Sequence, residues 1–244
     1  MEQEMSRTTE QRAEEISSFL GEPYAEVLDR IQKGFHHNHA LVAKDFNDAQ
    51  TNVNDPDSLL HWYRTTDSYI FELTAYHLEE GFNYSGMCEG IVNHCIANNW
   101  DDVISLGDGI GDLVFDLKAA GLNPTYHDLE GGKNAGYVAY VDPEVPMILS
   151  GDWVPEFEES SYDAVVALDF FEHLVNVEEW AYAVYSMLRP GGGFLAQNAF
   201  AIGDEEHGNS IPMHLAINNK YADEWSSLML EIGFKSDPSG WWIK

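Results

Sequence analysis

Basic residues are scarce in this chain: 12 Lys plus Arg stand against 42 Asp plus Glu, a formal charge of −30 dispersed over 244 residues. Nucleic-acid affinity depends on cations that displace counterions from phosphates, and no basic patch or stripe is visible, so DNA and RNA partners are disfavoured. Long apolar runs are also missing. Without an uninterrupted stretch of about 18 apolar residues or a basic-then-apolar amino terminus, a membrane span and a secretory signal are disfavoured, and a cytoplasmic protein is expected. Cysteine is limited to Cys88 and Cys95, seven apart on one helical pattern. That spacing suits neither a redox pair nor a zinc site, and buried free thiols are expected.

What is present is ample for a core. With 44% hydrophobic residues, the length suits one compact domain with an appended region. The organising stretch is Val103-Ile104-Ser105-Leu106-Gly107-Asp108-Gly109-Ile110-Gly111-Asp112-Leu113. An apolar run of β character meets three glycines at alternate positions, and Leu113, Leu117 and Ala120 then repeat at helical spacing up to Gly121. This reads as strand, tight turn, helix. Glycines there let a ligand lie against bare main chain at a helix start that presents free N–H groups. Downstream, Pro124-Thr125-Tyr126-His127-Asp128 forms a second short strand ending in an acid, where an open α/β sheet places a ribose-binding carboxylate.

The glycines at 107, 109 and 111 depart from the dinucleotide fingerprint. The pattern resembles the first motif of the class I S-adenosylmethionine-dependent methyltransferases. Further stretches follow that family's order: Gly151-Asp152-Trp153, the strand Ser161 to Leu168, Phe171-Glu172-His173-Leu174, and Leu188-Arg189-Pro190-Gly191-Gly192-Gly193-Phe194. The resemblance covers residues 100 to 244 well and the first hundred poorly. It implies an α/β, Rossmann-like, seven-stranded and mostly parallel sheet of order 3-2-1-4-5-7-6, closed by an antiparallel hairpin.

Residues 1 to 98 read as helical, and 99 to 244 as the methyltransferase domain. Two short helices flank Gly21, and Asp55-Pro56 opens a longer one through Leu60, Tyr63, Ile70, Leu73 and Leu78 to Gly81. Another helix carries Met87, Ile91, Val92, Cys95 and Ile96. The adjacent histidines of His36-His37-Asn38-His39 diverge on a helix, so no metal is expected. Beyond residue 102, strands are expected at 102–106, 124–128, 145–149, 162–168 and 193–199, with helices near 112–120, 132–138 and 177–188. Asp237-Pro238-Ser239-Gly240 supplies a hairpin turn between Gly233-Phe234-Lys235 and Trp241-Trp242-Ile243.

By position, the resemblance assigns Gly107, Gly109 and Gly111 to the methionine moiety. Asp128 matches the ribose acid within Asp128-Leu129-Glu130, with Glu130 as a near alternative. Asp152 and Trp153 match the adenine loop. The family often carries an acid where Ser105 stands, and Asp108 instead offers a carboxylate from within the turn. Asp169 and Phe170 lie after the fourth strand, where ligands bind. The amino-terminal helices are expected to form a lid over the cofactor, with Trp62, Tyr63 and Arg64 facing it and Arg64 suited to pairing with the methionine carboxylate.

His173 is the candidate general base, since imidazole titrates near neutrality. His207 and His214, in the long segment from Asn198 to Asn219, are candidates for acceptor contact. The expected activity is in-line transfer of the methyl of S-adenosylmethionine to a small-molecule acceptor, leaving S-adenosylhomocysteine. The alternative is a non-catalytic S-adenosylmethionine-binding regulator, and a homo-oligomer is left open.

Overall fold

The computed structural model describes residues 7–52, 55–151, 153–200 and 213–244. Helices precede the sheet: α1 (Thr9–Leu20), α2 (Tyr24–Gln32), α3 (Phe35–Asp48), α4 (Pro56–Thr65), α5 (Ser68–Leu78) and α6 (Tyr84–Asn98). Thr8 and Gln11 form a reciprocal capping box at the start of α1, and Gly21 ends it in the left-handed conformation at φ 73°. The single helix expected between Asp55 and Gly81 is in fact two. Its break falls at Thr66, whose backbone turns extended (φ −73°, ψ 136°) and whose hydroxyl donates to Asp45 and accepts the Ser68 N–H. A threonine that can cap a new helix start competes with continuation of the old one.

Strands and helices then alternate: β1 (Asp102–Leu106), α7 (Asp112–Ala119), β2 (Asn123–Leu129), α8 (Lys133–Val141), β3 (Met147–Ser150), β4 (Tyr162–Leu168), α9 (Val177–Met187), β5 (Leu188–Gln197), α10 (Tyr221–Ile232), β6 (Lys235–Ser236) and β7 (Trp242–Ile243). They form one seven-stranded sheet of order β3-β2-β1-β4-β5-β7-β6, parallel except at β7, which runs antiparallel to both β5 and β6. This is the order that the resemblance implies. Strand β5 starts earlier than the expected residue 193, because Leu188 already pairs with Tyr162 before the register shifts ahead of the Gly193 pairing.

Period-two alternation sorts the strands onto two cores. Ile104, Leu106, Val165, Ala167 and Phe194 face α9 and α10, while Val103, Ala164 and Val166 face α6 and α7. The helix α6 thus covers a sheet face and carries both cysteines, buried and free. A third cluster joins α1, α2 and α5 to Ile110 of the glycine turn and Tyr137 of α8. A fourth joins α3 and α4 to Met213 and Leu215. Each fully buried aliphatic or aromatic side chain in these clusters contributes about 1.5–3 kcal/mol. Together they fix the helices above the carboxyl ends of β1 and β4, where the strand order switches direction and open α/β sheets take ligands.

Candidate functional site

A cavity of about 640 Å³ opens at this switch point. Its floor is the carboxyl edge of the sheet: Ser105 to Gly109, His127 to Leu129, Leu168 to Phe170 and Gln197 to Ala199. Its roof comes from Leu60 and Tyr63 of α4 and from Glu72, Leu73, Tyr76 and His77 of α5, with Phe35 and His39 of α3 beside them. The far end is closed by His173, Met213 and His214. The lining is largely apolar with a few convergent polar groups, as small-molecule sites are.

The glycine turn is built as the sequence demands. Gly107, Gly109 and Gly111 have φ of 66°, 59° and 78°, a region that L side chains rarely enter. Bulk is excluded too: a Cβ would meet Phe170 from Gly107, Leu73 from Gly109 and Val138 from Gly111. Gly107 and Gly109 line the cavity, whereas Gly111 faces α8. The carboxylate of Asp128 accepts the Gly109 N–H at 2.9 Å and the Leu129 N–H at 2.6 Å, with the Tyr126 hydroxyl at 2.9 Å. It lines the cavity and braces the turn at once. Burial raises its pKa, opposed by those hydrogen bonds.

Asp108 also lines the cavity, but one of its oxygens caps α7 by accepting the Val114 N–H at 3.1 Å. Burial raises its pKa well above the usual carboxylate value, with that N–H opposing. Behind the turn, Asp112 meets Arg7, Arg12 (2.7 Å) and His77 (2.5 Å). Burial alone would raise the Asp112 pKa, yet the Arg12 guanidinium, His77 and Arg7 hold it well below the usual range. This cluster ties α1 and α5 to the first residue of α7.

Other expected residues sit elsewhere. Arg64 does not line the cavity: its Nε donates to the Glu130 carbonyl at 2.9 Å, joining α4 to the loop after β2. Trp62 is 2% exposed and packs on Phe46 and Met213 instead of facing the cofactor end. The indole belongs to a core stripe because α4 presents Leu59 and Trp62 to α3, leaving Leu60 and Tyr63 for the cavity. Glu130 lies outside the lining, and Trp153 is 54% exposed with its ring against Gly151, which does line it. Asp152 and His207 lie outside the described residues. Leu129, Asp169 and Phe170 all line the cavity. Asp169 holds a left-handed φ of 49°, unusual for a non-glycine residue and common at functional positions. Burial, then the charge of Glu172, raises its pKa to about 7.

At the far end, His173 Nδ1 lies 3.0 Å from the Tyr63 hydroxyl and 3.2 Å from the Met213 carbonyl. A carbonyl can only accept, so Nδ1 carries the hydrogen and the lone pair of the neutral ring is on Nε2. Burial depresses the His173 pKa to about 4, opposed by the Met213 bond. The His214 ring meets that of His173 edge to face at 4.9 Å. Sequence reasoning missed several lining groups. Asn134 and Asn198 each present a buried amide oxygen without a hydrogen-bond partner among the described residues, and His39 Nδ1 pairs with the buried Glu72 at 2.6 Å. The two asparagines stand at a helix start and a strand end, which marks turn chemistry and ligand contact alike.

The lining carries Glu72, which His39 engages, with Asp108, Asp128 and Asp169, against one lysine or arginine among the described residues, Lys133, which Asp67 holds at 3.1 Å. Such a cavity favours a ligand with positive charge. Among the described residues, no helix is long and apolar enough to cross a membrane.

No protein-family model matches the chain. A sterol 24-C-methyltransferase from Candida albicans is 27% identical over 177 residues, covering 66% of this chain and 46% of the relative. The chain thus spans about half the length of that curated protein. The solved structure of the YcgJ protein from Bacillus subtilis is similar at a TM-score of 0.51 and 15% identity, over 62% of this chain and 69% of that one. A S-adenosylmethionine-dependent methyltransferase from Archaeoglobus fulgidus gives a TM-score of 0.44 at 14% identity, over 61% and 70%. The strand order with its antiparallel hairpin is the Rossmann-like fold of the class I S-adenosylmethionine-dependent methyltransferases, and the sequence is similar to that of a sterol methyltransferase.

Proposed function

We propose that the chain is an S-adenosylmethionine-dependent methyltransferase acting on a small molecule. One observation carries the reading: a single cavity runs from the bare glycine turn and Asp128 to His173 and His214, roofed throughout by side chains of α4 and α5. The residues present fit the cofactor. Gly107 and Gly109 leave main chain open to the methionine moiety, Asp128 supplies a ribose acid, and the acidic lining suits a sulfonium and an ammonium. Asn134 and Asn198 add amide oxygens that lack partners among the described residues and would accept from a bound ligand.

When bound, S-adenosylmethionine supplies an electrophilic methyl group for in-line transfer. The chain's own part is to align and enclose. Leu73 and Tyr63 shut water out from above, and Phe170 packs under the turn against Gly107. His173 keeps its hydrogen on Nδ1 and presents an unprotonated Nε2 at the acceptor end. The relative's name points to a sterol acceptor for that protein. Here Phe35, Leu60, Tyr69 and Phe82 in the lining favour an acceptor with an apolar body. The amino-terminal helices α3 to α5 form the lid of this reading, and residues 99 to 244 its catalytic domain.

The test is S-adenosylhomocysteine formation from S-adenosylmethionine with fractionated metabolite pools. The expected result is turnover in at least one fraction and a melting temperature raised by S-adenosylmethionine and not by NAD. Binding without turnover in any fraction would favour a regulatory S-adenosylmethionine-binding protein, and no binding would end the reading.

A further inference from the structure

Beside the far end of the cavity, which His173 and His214 line, stands the buried Glu172, and the reading above does not use the three side chains together. Glu172, His173 and His214 each present one ligand-type atom, and the three atoms lie within 4.8 Å of one another. Glu172 and His173 lie on the short helical turn Phe171–His173 after β4, and His214 arrives from the segment after β5. Sheet topology brings them together, since β4 and β5 are parallel neighbours that end side by side.

The surroundings favour a cation. Glu172 is 1% exposed; Oε1 accepts the Ala199 N–H at 2.7 Å, while Oε2 is buried with no hydrogen-bond partner among the described residues. A buried carboxylate oxygen without a partner is costly, and no described lysine or arginine lines this end to relieve it. The ring of His173 is held as metal-bound histidines commonly are, with one nitrogen donating to a backbone carbonyl, that of Met213 at 3.2 Å, and the other left as the ligand atom. Tyr63 fixes the same ring from the lid side at 3.0 Å.

We propose that Glu172, His173 and His214 bind a divalent first-row transition ion through one carboxylate oxygen and two imidazole nitrogens, at the acceptor end of the cavity. Three protein ligands leave positions open, as catalytic sites require. Two imidazoles with one carboxylate suit Zn²⁺, Fe²⁺ or Co²⁺ better than Mg²⁺ or Ca²⁺, which prefer oxygen shells. An ion here selects acceptors carrying an oxygen that can enter its open position. That last step rests on the methyltransferase reading, whereas the ion site itself does not. The histidine run conspicuous in the sequence is a separate feature: His36 and His37 are exposed on α3, and His39 is engaged by Glu72.

The experiment uses the full chain, stripped with a chelator, titrated with Zn²⁺ by calorimetry and with Co²⁺ by visible absorption. The expected result is uptake of one ion per chain with a ligand-field band for Co²⁺. His214→Ala and Glu172→Gln should each weaken binding by about tenfold or more. Melting temperatures show whether each variant folds, and His214→Ala, on a half-buried residue, decides the matter if Glu172→Gln does not. No uptake by the wild type, or uptake that the folded variants leave unchanged, overturns the proposal and returns His173 to the role of general base. S-adenosylhomocysteine titrated separately keeps the two readings apart: an ion bound without it leaves this site standing and removes the methyltransferase reading.

Discussion

A Cβ built on Gly109 would lie 2.7 Å from Leu73 Cδ1, so α5 rests directly on the glycine turn. Gly109→Ala therefore meets two penalties, a left-handed backbone at φ 59° and an overlap with Leu73 of α5. The backbone part is about 1–2 kcal/mol. Leu73→Ala removes only the overlap, so the double variant should be less destabilised than the sum of the singles, with a coupling of about 0.5–3 kcal/mol. Denaturant unfolding of the four proteins measures this. Strict additivity would mean that α5 does not press on the turn.

Asp128, the proposed ribose acid, also braces the turn, and two substitutions separate the proposed role from the observed one. Asp128→Ala should weaken S-adenosylhomocysteine by about 1.5–3 kcal/mol, the range for hydrogen bonds to charged groups, and also loosen the turn by stranding the Gly109 N–H. Asp128→Asn keeps an acceptor for that N–H but sets its amide NH2 against the Leu129 N–H, so it should lose affinity with a smaller loss of stability than Asp128→Ala. Calorimetry and melting curves on both variants check it; unchanged affinity in both would move the ribose contact to Glu130.

Asp112 anchors α7 against α1 and α5. Asp112→Ala leaves Arg12, itself 3% exposed, without its partner, and should cost about 3–5 kcal/mol, as breaking a buried ion pair does. The pH sign follows from its depressed pKa. Its stabilisation is fully present above the unfolded value of 3.8 and is lost only as pH falls through the lower folded value. Urea unfolding at neutral pH and at strongly acidic pH should show the wild-type advantage at the first and a smaller one at the second.

His127 gives a different window. Its Nε2 pairs with Ser150 Oγ at 2.9 Å, and burial lowers its pKa from 6.5 to about 3. The unfolded chain binds the proton first, so native stability falls as pH drops below 6.5 toward that value. The slope for one such group is about 1.4 kcal/mol per pH unit. Stability of the wild type relative to His127→Gln should decline at that rate between pH 6 and 4, roughly, in denaturant titrations. A constant difference would show that His127 is protonated in the fold.

The sheet was legible because each strand's alternation survives in three dimensions: Val103 and Ile104 face opposite cores, as do Val165 and Val166. The turn was legible because all three glycines need positive φ. Other features were hidden for physical reasons. The break at Thr66 depends on Asp45, a tertiary contact that no local pattern announces. Trp62 and Tyr63 are neighbours on α4, and only the position of α3 decides that the first is core and the second lines the cavity. Glu172 stands in the sequence only as part of Phe171-Glu172-His173-Leu174, and it is the fold that buries it to 1% exposure beside two histidines.

The central claim is that the cofactor lies between the glycine turn and α5. Amide hydrogen exchange of the full chain, with and without S-adenosylhomocysteine, tests both walls at once. The account predicts slower exchange on ligand addition in the turn from Ser105 to Leu113 and in α5 from Ser68 to Leu78. Exchange indifferent to ligand in both segments would contradict it.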